Sequence, residues 1–207
     1  MLCFAMVGLT MGQETSPAEP DRERWDRKFA SSDFIYGKDP AGFLVANVEL
    51  LPATGHALDV AAGEGRNSVF LARQGLVVDA VDISEVGLAK ARQLAGEAGV
   101  SINTIVADLS VYSVTPETYD VVVVINYLQR DLIDDLKAAL KPGGIVIYET
   151  YTAAQLDIPG AHHMRREYLL EAGELRVMFE EFEILEYRET ADDHQAVASL
   201  VARKPGR

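Results

Sequence analysis

Residues Leu58 to Ser68, reading LDVAAGEGRNS, constrain this chain more than any other stretch. An apolar run from Ala57 to Ala62, interrupted only by Asp59, meets Gly63 and Gly65, and an amphipathic segment from Ser68 through Ala72 follows at once. That order predicts a buried strand, a tight glycine turn and a helix start. Glycines at such a turn bring the backbone close to a ligand with no Cβ in the way, and the helix amino terminus offers unpaired N–H donors to a carboxylate or phosphate. The turn is therefore a candidate cofactor site in the first strand–helix unit of an α/β domain.

The rest of the chain repeats that unit. A chain of 207 residues suits one domain that buries about 70% of its unfolded surface. Upstream, Asp21 to Ala30 reads as an amphipathic helix with Trp25 and Phe29 on one face, and a loop follows. Asp39 and Pro40 then open a helix to about Leu51. After the glycine turn come a helix to Gln74 stopped by Gly75, a strand LVVDAV ending at Asp82, a helix from Ser84 to Ala98, and a strand Ile102 to Val106 ending at Asp108. Tyr119 to Ile125 is apolar on both alternations after Asp120 and is expected as a central parallel strand. A helix over Leu128 to Leu140, the LKPGG turn and a fifth strand Ile145 to Thr150 complete the alternation. The tail differs: short helices over Arg165 to Glu171 and Glu174 to Phe179 precede strands Phe182 to Arg188 and Ala196 to Ala202, whose short connection makes them antiparallel neighbours. The expected fold is a Rossmann-like, doubly wound, mostly parallel seven-stranded sheet with a carboxy-terminal antiparallel hairpin.

Residues 1–20 stand apart as a leader, and residues 21–207 as a single domain. Met1 to Met11 is apolar but too short to cross a bilayer. It is either the tail of a secretory signal, without a basic n-region or clean cleavage site, or a disordered or misassigned start. A formal net charge of -13 repels a phosphate backbone, so no nucleic-acid partner is expected. Cys3 is the only cysteine, leaving the body without an internal disulfide, a thiol nucleophile or a thiolate metal site.

In an open parallel sheet the ligand lies beyond the carboxyl ends of the strands, where the strand order reverses. Asp59, the glycine turn, Asp82 with Ile83, Asp108 and Asn126 all fall at or near such ends. Asp82 lies 17 residues after Gly65 (82 minus 65), where a strand-end acid accepts from both ribose hydroxyls of a nucleotide. The competing reading is an acid that complements the dipole of the helix at Ser84. GEGRNS also approaches the dinucleotide G-x-G-x-x-G pattern, with Ser68 in the third place. Asp59 argues against a dinucleotide, since a carboxylate four residues before Gly63 repels a pyrophosphate. It suits a ligand with a cationic amino group, and the methionine portion of S-adenosylmethionine carries one.

On these residues the sequence resembles the class I S-adenosylmethionine-dependent methyltransferases. LDVAAGEG matches their first motif with Ala61 in place of the first glycine, VDAVDIS the acid after strand two, VADL the acid after strand three, and YDVVVVINYL with LKPGG the fourth strand and the turn before the fifth. GEGRNS with FLARQG, and the upstream YGKDP, look most like the tellurite-resistance and thiopurine-type branch. The likeness covers about Trp25 to Lys204. Alanine at position 61 permits close approach of a ligand if its φ is negative.

The resemblance implies S-adenosylmethionine as cofactor. It assigns Asp59 and the Ala61, Gly63 and Gly65 turn to the methionine end, Asp82 with Ile83 to the ribose, and Asp108 with Leu109 to the adenine edge. Arg66 is a candidate for the cofactor carboxylate, or an exposed helix-start arginine; Tyr36 closes over the cofactor or acceptor, or is a core aromatic beside Phe34. Asn126 lies between cofactor and acceptor. It joins Tyr127 and Tyr151 as candidates that orient the methyl acceptor, Tyr127 otherwise covering the sheet end. His162 and His163 read as solvated loop histidines, the alternative being acid/base or metal groups, and no metal site is expected. The implied activity is methyl transfer to a small-molecule acceptor, with a soft sulfur, selenium, tellurium or thiol nucleophile suited to a site without a general base. The alternatives are an NAD(P)-dependent oxidoreductase and a non-catalytic S-adenosylmethionine-binding protein. The expected setting is a cytoplasmic monomer or homodimer with no membrane partner; a leader acting as a signal would make it exported.

Overall fold

The computed structural model describes residues 20–161 and 164–206. The expectations for the leader and for His162 and His163 thus fall outside the described residues, save Pro20. Seven strands form one sheet: β1 Gly55–Val60, β2 Leu76–Asp82, β3 Asn103–Val106, β4 Tyr119–Ile125, β5 Leu140–Tyr151, β6 Glu183–Ala191 and β7 Ala196–Arg203. Their order is β3-β2-β1-β4-β5-β7-β6. β1 to β5 pair parallel, and β7 lies antiparallel between β5 and β6.

The helices are α1 Asp21–Phe29, α2 Gly42–Ala46, α3 Arg66–Arg73, α4 Glu85–Glu97, α5 Ile133–Ala139 and α6 Glu174–Met178. Alternate residues of β4 feed the two faces of the core. Val122 and Val124 pack with Leu58, Val60, Val146 and Leu200 on one side, while Val121, Val123 and Ile125 pack with Ala57, Ile147 and Val201 on the other. A strand buried on both faces must be apolar at every position, as this one is after Asp120. The same rule places the hairpin. AVASLVAR of β7 is buried through Ala202 and takes the inner position, and EILEYRETA, with four charged residues that an edge tolerates, lies outside it.

Several boundaries depart from expectation. The helix expected over Pro40 to Leu51 is only α2, followed by a 3-10 turn at Val48–Leu50. Asn47 stops it by donating its side-chain amide to Phe43 O at 3.1 Å, which diverts a carbonyl of the helix. Asp39 is not the cap; the cap position is Ala41, whose N–H donates to Asn67 Oδ1 at 2.9 Å. The Leu128 to Leu140 helix is shortened to α5 behind a 3-10 turn at Arg130–Leu132. There the Arg130 guanidinium bonds Glu174 and the carbonyls of Glu167 and Leu169, tying this connection to the tail. LKPGG is not merely a turn: it belongs to β5, with a register shift between Tyr119 and Val121 absorbing its glycines. The expected Arg165 to Glu171 helix is a single 3-10 turn, Arg166–Tyr168. Among the described residues no helix is long and apolar enough to cross a membrane.

Candidate cofactor and acceptor site

The strand order reverses at β1, flanked by β2 on one side and β4 on the other, and a cavity of about 870 Å3 opens beyond the carboxyl ends there. The turn from β1 into α3 forms its floor. Ala61, Gly63 and Gly65 have φ of +53°, +54° and +80°. The condition set for close approach at Ala61, a negative φ, is therefore not met. Three left-handed residues in five are needed to fold the chain back, and the first is occupied by a side chain that this region disfavours.

The glycines serve packing as much as ligand approach. A Cβ on Gly65 would lie 2.4 Å from Ala91 Cβ of α4, and one on Gly63 would lie 3.1 Å from the Phe29 ring. Gly87 in α4 receives the same ring, its own Cβ position lying 3.0 Å from it. Phe29 is thus a plug seated between two glycines, and Trp25 stacks on it with ring centroids 5.4 Å apart. Asp26 fastens the helix, accepting from Ser84 Oγ at 2.5 Å and from Val86 N–H at 3.4 Å. Ser84 in turn caps α4 by accepting from Gly87 N–H. By this docking α1 becomes a wall of the cavity, with Trp25 and Phe29 in its lining.

Of the residues singled out from sequence, Tyr36, Ala61, Gly63, Arg66, Asp82, Ile83, Asp108, Leu109, Asn126, Tyr127 and Tyr151 line the cavity. Asp59 and Gly65 do not. Asp59 lies beneath the turn, 1% exposed, with Ser68 Oγ as its donor. Asp82 is buried at the cavity edge. Its Oδ2 accepts from Gly63 N–H and its Oδ1 from Ser84 N–H, both at 2.8 Å. Burial raises its pKa against the pull of those bonds. Each oxygen keeps a second lone pair for a ligand hydroxyl. Asp108 is exposed and accepts from Ser110 through both Oγ and N–H, which lowers its pKa.

Tyr36 is 40% exposed, which excludes a core role; its hydroxyl accepts from Lys28 Nζ at 2.8 Å and its carbonyl from Arg66 at 3.1 Å. Arg66 is therefore tied to the Tyr36 backbone within the cavity lining rather than pointing freely into solvent. Asn126 has φ +58°, a conformation asparagine tolerates, and its N–H donates to Glu149 O at 2.8 Å. Tyr127 donates its hydroxyl to Gln129 Oε1 at 2.5 Å and accepts at its carbonyl from the buried Tyr148 hydroxyl at 2.9 Å. Desolvation raises the pKa of both Tyr127 and Tyr151.

Sequence reading missed Glu64, Gln155, Tyr168 and His194, which also line the cavity. Glu64 is buried in an ion pair with Lys90 at 2.8 Å. As the variable position of a glycine motif it carries no local signal. Trp25 and Phe29 were legible as one helix face but not as a cavity wall. Among the described residues no group of three or more His, Cys, Asp or Glu side chains is arranged to hold a metal ion.

Residues 57–144 match the family model of a methyltransferase domain. A hemagglutinin 1 of Eikenella corrodens is 28% identical over 72% of this chain and 54% of its own length. A ubiquinone biosynthesis O-methyltransferase of Coxiella burnetii is 29% identical over 46% of this chain and 43% of its own length. The chain thus spans about half the length of the curated relatives it matches. The solved structure of TehB from Haemophilus influenzae superposes with a TM-score of 0.68 at 21% identity, covering 88% of this chain and 66% of that one. The matched segment is thus similar to a methyltransferase domain, and the chain shares its overall fold with the TehB structure.

Proposed function

We propose that the chain is an S-adenosylmethionine-dependent methyltransferase acting on a small-molecule acceptor. The observation that carries this reading is one cavity crossing the switch point, with Asp82, Ile83, Asp108 and Leu109 on the β2–β3 side and Asn126, Tyr127 and Tyr151 on the β4–β5 side. Its volume of about 870 Å3 falls in the ~300–1,000 Å3 range of ligand sites.

The donor set fits the cofactor part by part. The free lone pairs of Asp82 accept the ribose hydroxyls, Ile83 and Leu109 give apolar cover to the adenine, and Asp108 takes its amino edge. Arg66 pairs with the cofactor carboxylate, while Ala61 and Gly63 face the methionine end. Asp59 acts at a distance, holding the turn through Ser68. When bound, S-adenosylmethionine supplies an electrophilic methyl group on a positively charged sulfur. The work of the chain is alignment and exclusion of water, which suffices for much of the rate of an in-line displacement. Asn126 and Tyr151 present polar groups to the acceptor. Tyr127, whose hydroxyl is engaged by Gln129, contributes its ring.

The resemblance of GEGRNS, FLARQG and YGKDP to the tellurite-resistance and thiopurine-type branch is the ground for a soft sulfur, selenium or tellurium acceptor as the finer reading, and the O-methyltransferase relative supports methyl transfer itself. A cytosolic cofactor favours a cytoplasmic protein. Calorimetry with S-adenosylhomocysteine and NADH separates the cofactor classes: tight NADH binding with none of S-adenosylhomocysteine overturns the proposal. Methyl-labelled cofactor incubated with thiols, selenite, tellurite and small amines then tests transfer; binding without transfer to any of them indicates a non-catalytic binder.

A further inference from the structure

The carboxylates lining the cavity are Asp21, Glu64, Asp82 and Asp108, all from the part of the chain before β4. Each is engaged: Asp21 with Arg24, Glu64 with Lys90, Asp82 with two backbone N–H groups and Asp108 with Ser110. Among the described residues, the lining contributed from β4 onward holds no carboxylate and a single imidazole, that of His194.

His194 arrives from the turn between β6 and β7, and the fold fixes that turn on both sides. Asp192 Oδ1 accepts from the N–H groups of His194 at 2.7 Å and Gln195 at 2.9 Å, and Asp192 N–H donates to Gln195 O at 2.9 Å. The next residue, Ala196, donates its N–H to Gln155 Oε1 at 2.7 Å and accepts at its carbonyl from Thr152 N–H at 2.9 Å. Thr152 follows directly on Tyr151 and Gln155 lies four residues on, so the turn is stapled to the segment that walls the acceptor side. Asp192 orders the backbone of the turn, and His194 is thereby held in the cavity lining.

Resting on the methyltransferase reading above, we propose that His194 is the general base of the reaction and that the acceptor is a thiol. Imidazole is the side-chain base suited to proton transfer near neutral pH. It is best matched to a thiol, whose ordinary pKa of about 8.5 lies much closer to that of an imidazole than an alcohol's does, so that the proton can be taken without a further group to hold the base. An imidazole nitrogen takes the S–H proton. The acceptor sulfur forms its bond to the methyl carbon as that carbon's bond to the sulfonium sulfur breaks. The electron pair of the broken bond stays on the departing neutral thioether. The imidazolium then returns its proton to water.

Two phenyl-bearing thiols test the step: 2-phenylethanethiol, an alkanethiol protonated at neutral pH, and thiophenol, an aromatic thiol largely ionised there. His194→Gln is expected to lower kcat ~100-fold with 2-phenylethanethiol and by less than about threefold with thiophenol, which needs no base. Equal losses with both mark a structural role and overturn the proposal, as does an unchanged rate with 2-phenylethanethiol. Independently of turnover, the imidazole proton resonance of His194, assigned by its loss in His194→Gln, should shift when thiophenol is added to the S-adenosylhomocysteine complex. An unmoved resonance also overturns the proposal. Wild-type protein that binds S-adenosylhomocysteine but methylates neither thiol overturns this inference alone, whereas absence of cofactor binding overturns the methyltransferase reading with it.

Discussion

Asp59 and Ser68 join the end of β1 to the first turn of α3: Ser68 Oγ donates to Asp59 Oδ2 at 2.5 Å, across the glycine turn and out of contact with the cavity. Both side chains are buried. Desolvation of Asp59 outweighs this bond, with the charge of Asp82 adding to it, and raises the carboxyl from 3.8 to about 7. Asp59, expected from sequence near the cofactor's amino group, lies beneath the glycine turn and fastens it through Ser68.

That relationship sets a pH dependence. The folded-state pKa is raised above the unfolded value, so between pH 3.8 and about 7 the folded protein holds a proton that the unfolded chain releases. Stability from this group therefore falls as pH rises through that window, by on the order of 4 kcal/mol in total, and levels off above it. Asp59→Asn, which cannot ionise, removes this contribution. Thermal melts of the two proteins should show the variant gaining on wild type from pH 5 to pH 7.5; a constant difference would mean Asp59 does not titrate there.

Asp82→Asn should abolish tight cofactor binding while leaving the fold in place. The charge-assisted bonds to the ribose are worth roughly 1.5–3 kcal/mol each, so losing two corresponds to at least about 100-fold in Kd. The amide retains one acceptor for Gly63 or Ser84, and the melting temperature should drop by only a few degrees. Calorimetry with S-adenosylhomocysteine reads the first effect, and wild-type affinity would refute the ribose assignment.

Ala61 occupies φ +53°. Left-handed backbone costs an alanine roughly 1–2 kcal/mol, against about 0.4–1 kcal/mol of extra unfolded-state entropy for glycine. Ala61→Gly should therefore stabilise the protein by about 0.5–1 kcal/mol, a rise of ~1–4 °C for a domain of this size. A lowered melting temperature would show that the Ala61 methyl group makes contacts worth more than the strain.

Gly87→Ala tests the wall formed by α1. Alanine ordinarily favours a helix interior over glycine by about 1 kcal/mol. Here its Cβ would lie 3.0 Å from the Phe29 ring and 3.1 Å from Gly63 O, displacing the plug. The expected outcome is no gain in melting temperature together with weaker S-adenosylhomocysteine binding. A stabilised variant with unchanged binding would place α1 outside the binding site.

The sequence by itself determined the alternation of strands and helices, the burial of β4 on both faces, the antiparallel hairpin and the acids at the ends of β2 and β3. Each of these rests on local periodicity or on a turn residue's own preference, so a short window suffices to read it. Eleven of the singled-out residues, Tyr36 through Tyr151, duly line one cavity. The tertiary structure alone decided that β7 rather than β6 pairs with β5, that Phe29 fills the space left by Gly63 and Gly87, that Ala61 is left-handed, that Asp59 lies behind the turn, and that His194 lines the same cavity. These facts depend on which distant segments meet when the sheet closes its core. Side-chain volume and hydrogen-bond partners from far along the chain settle them, and no spacing within a single element encodes either.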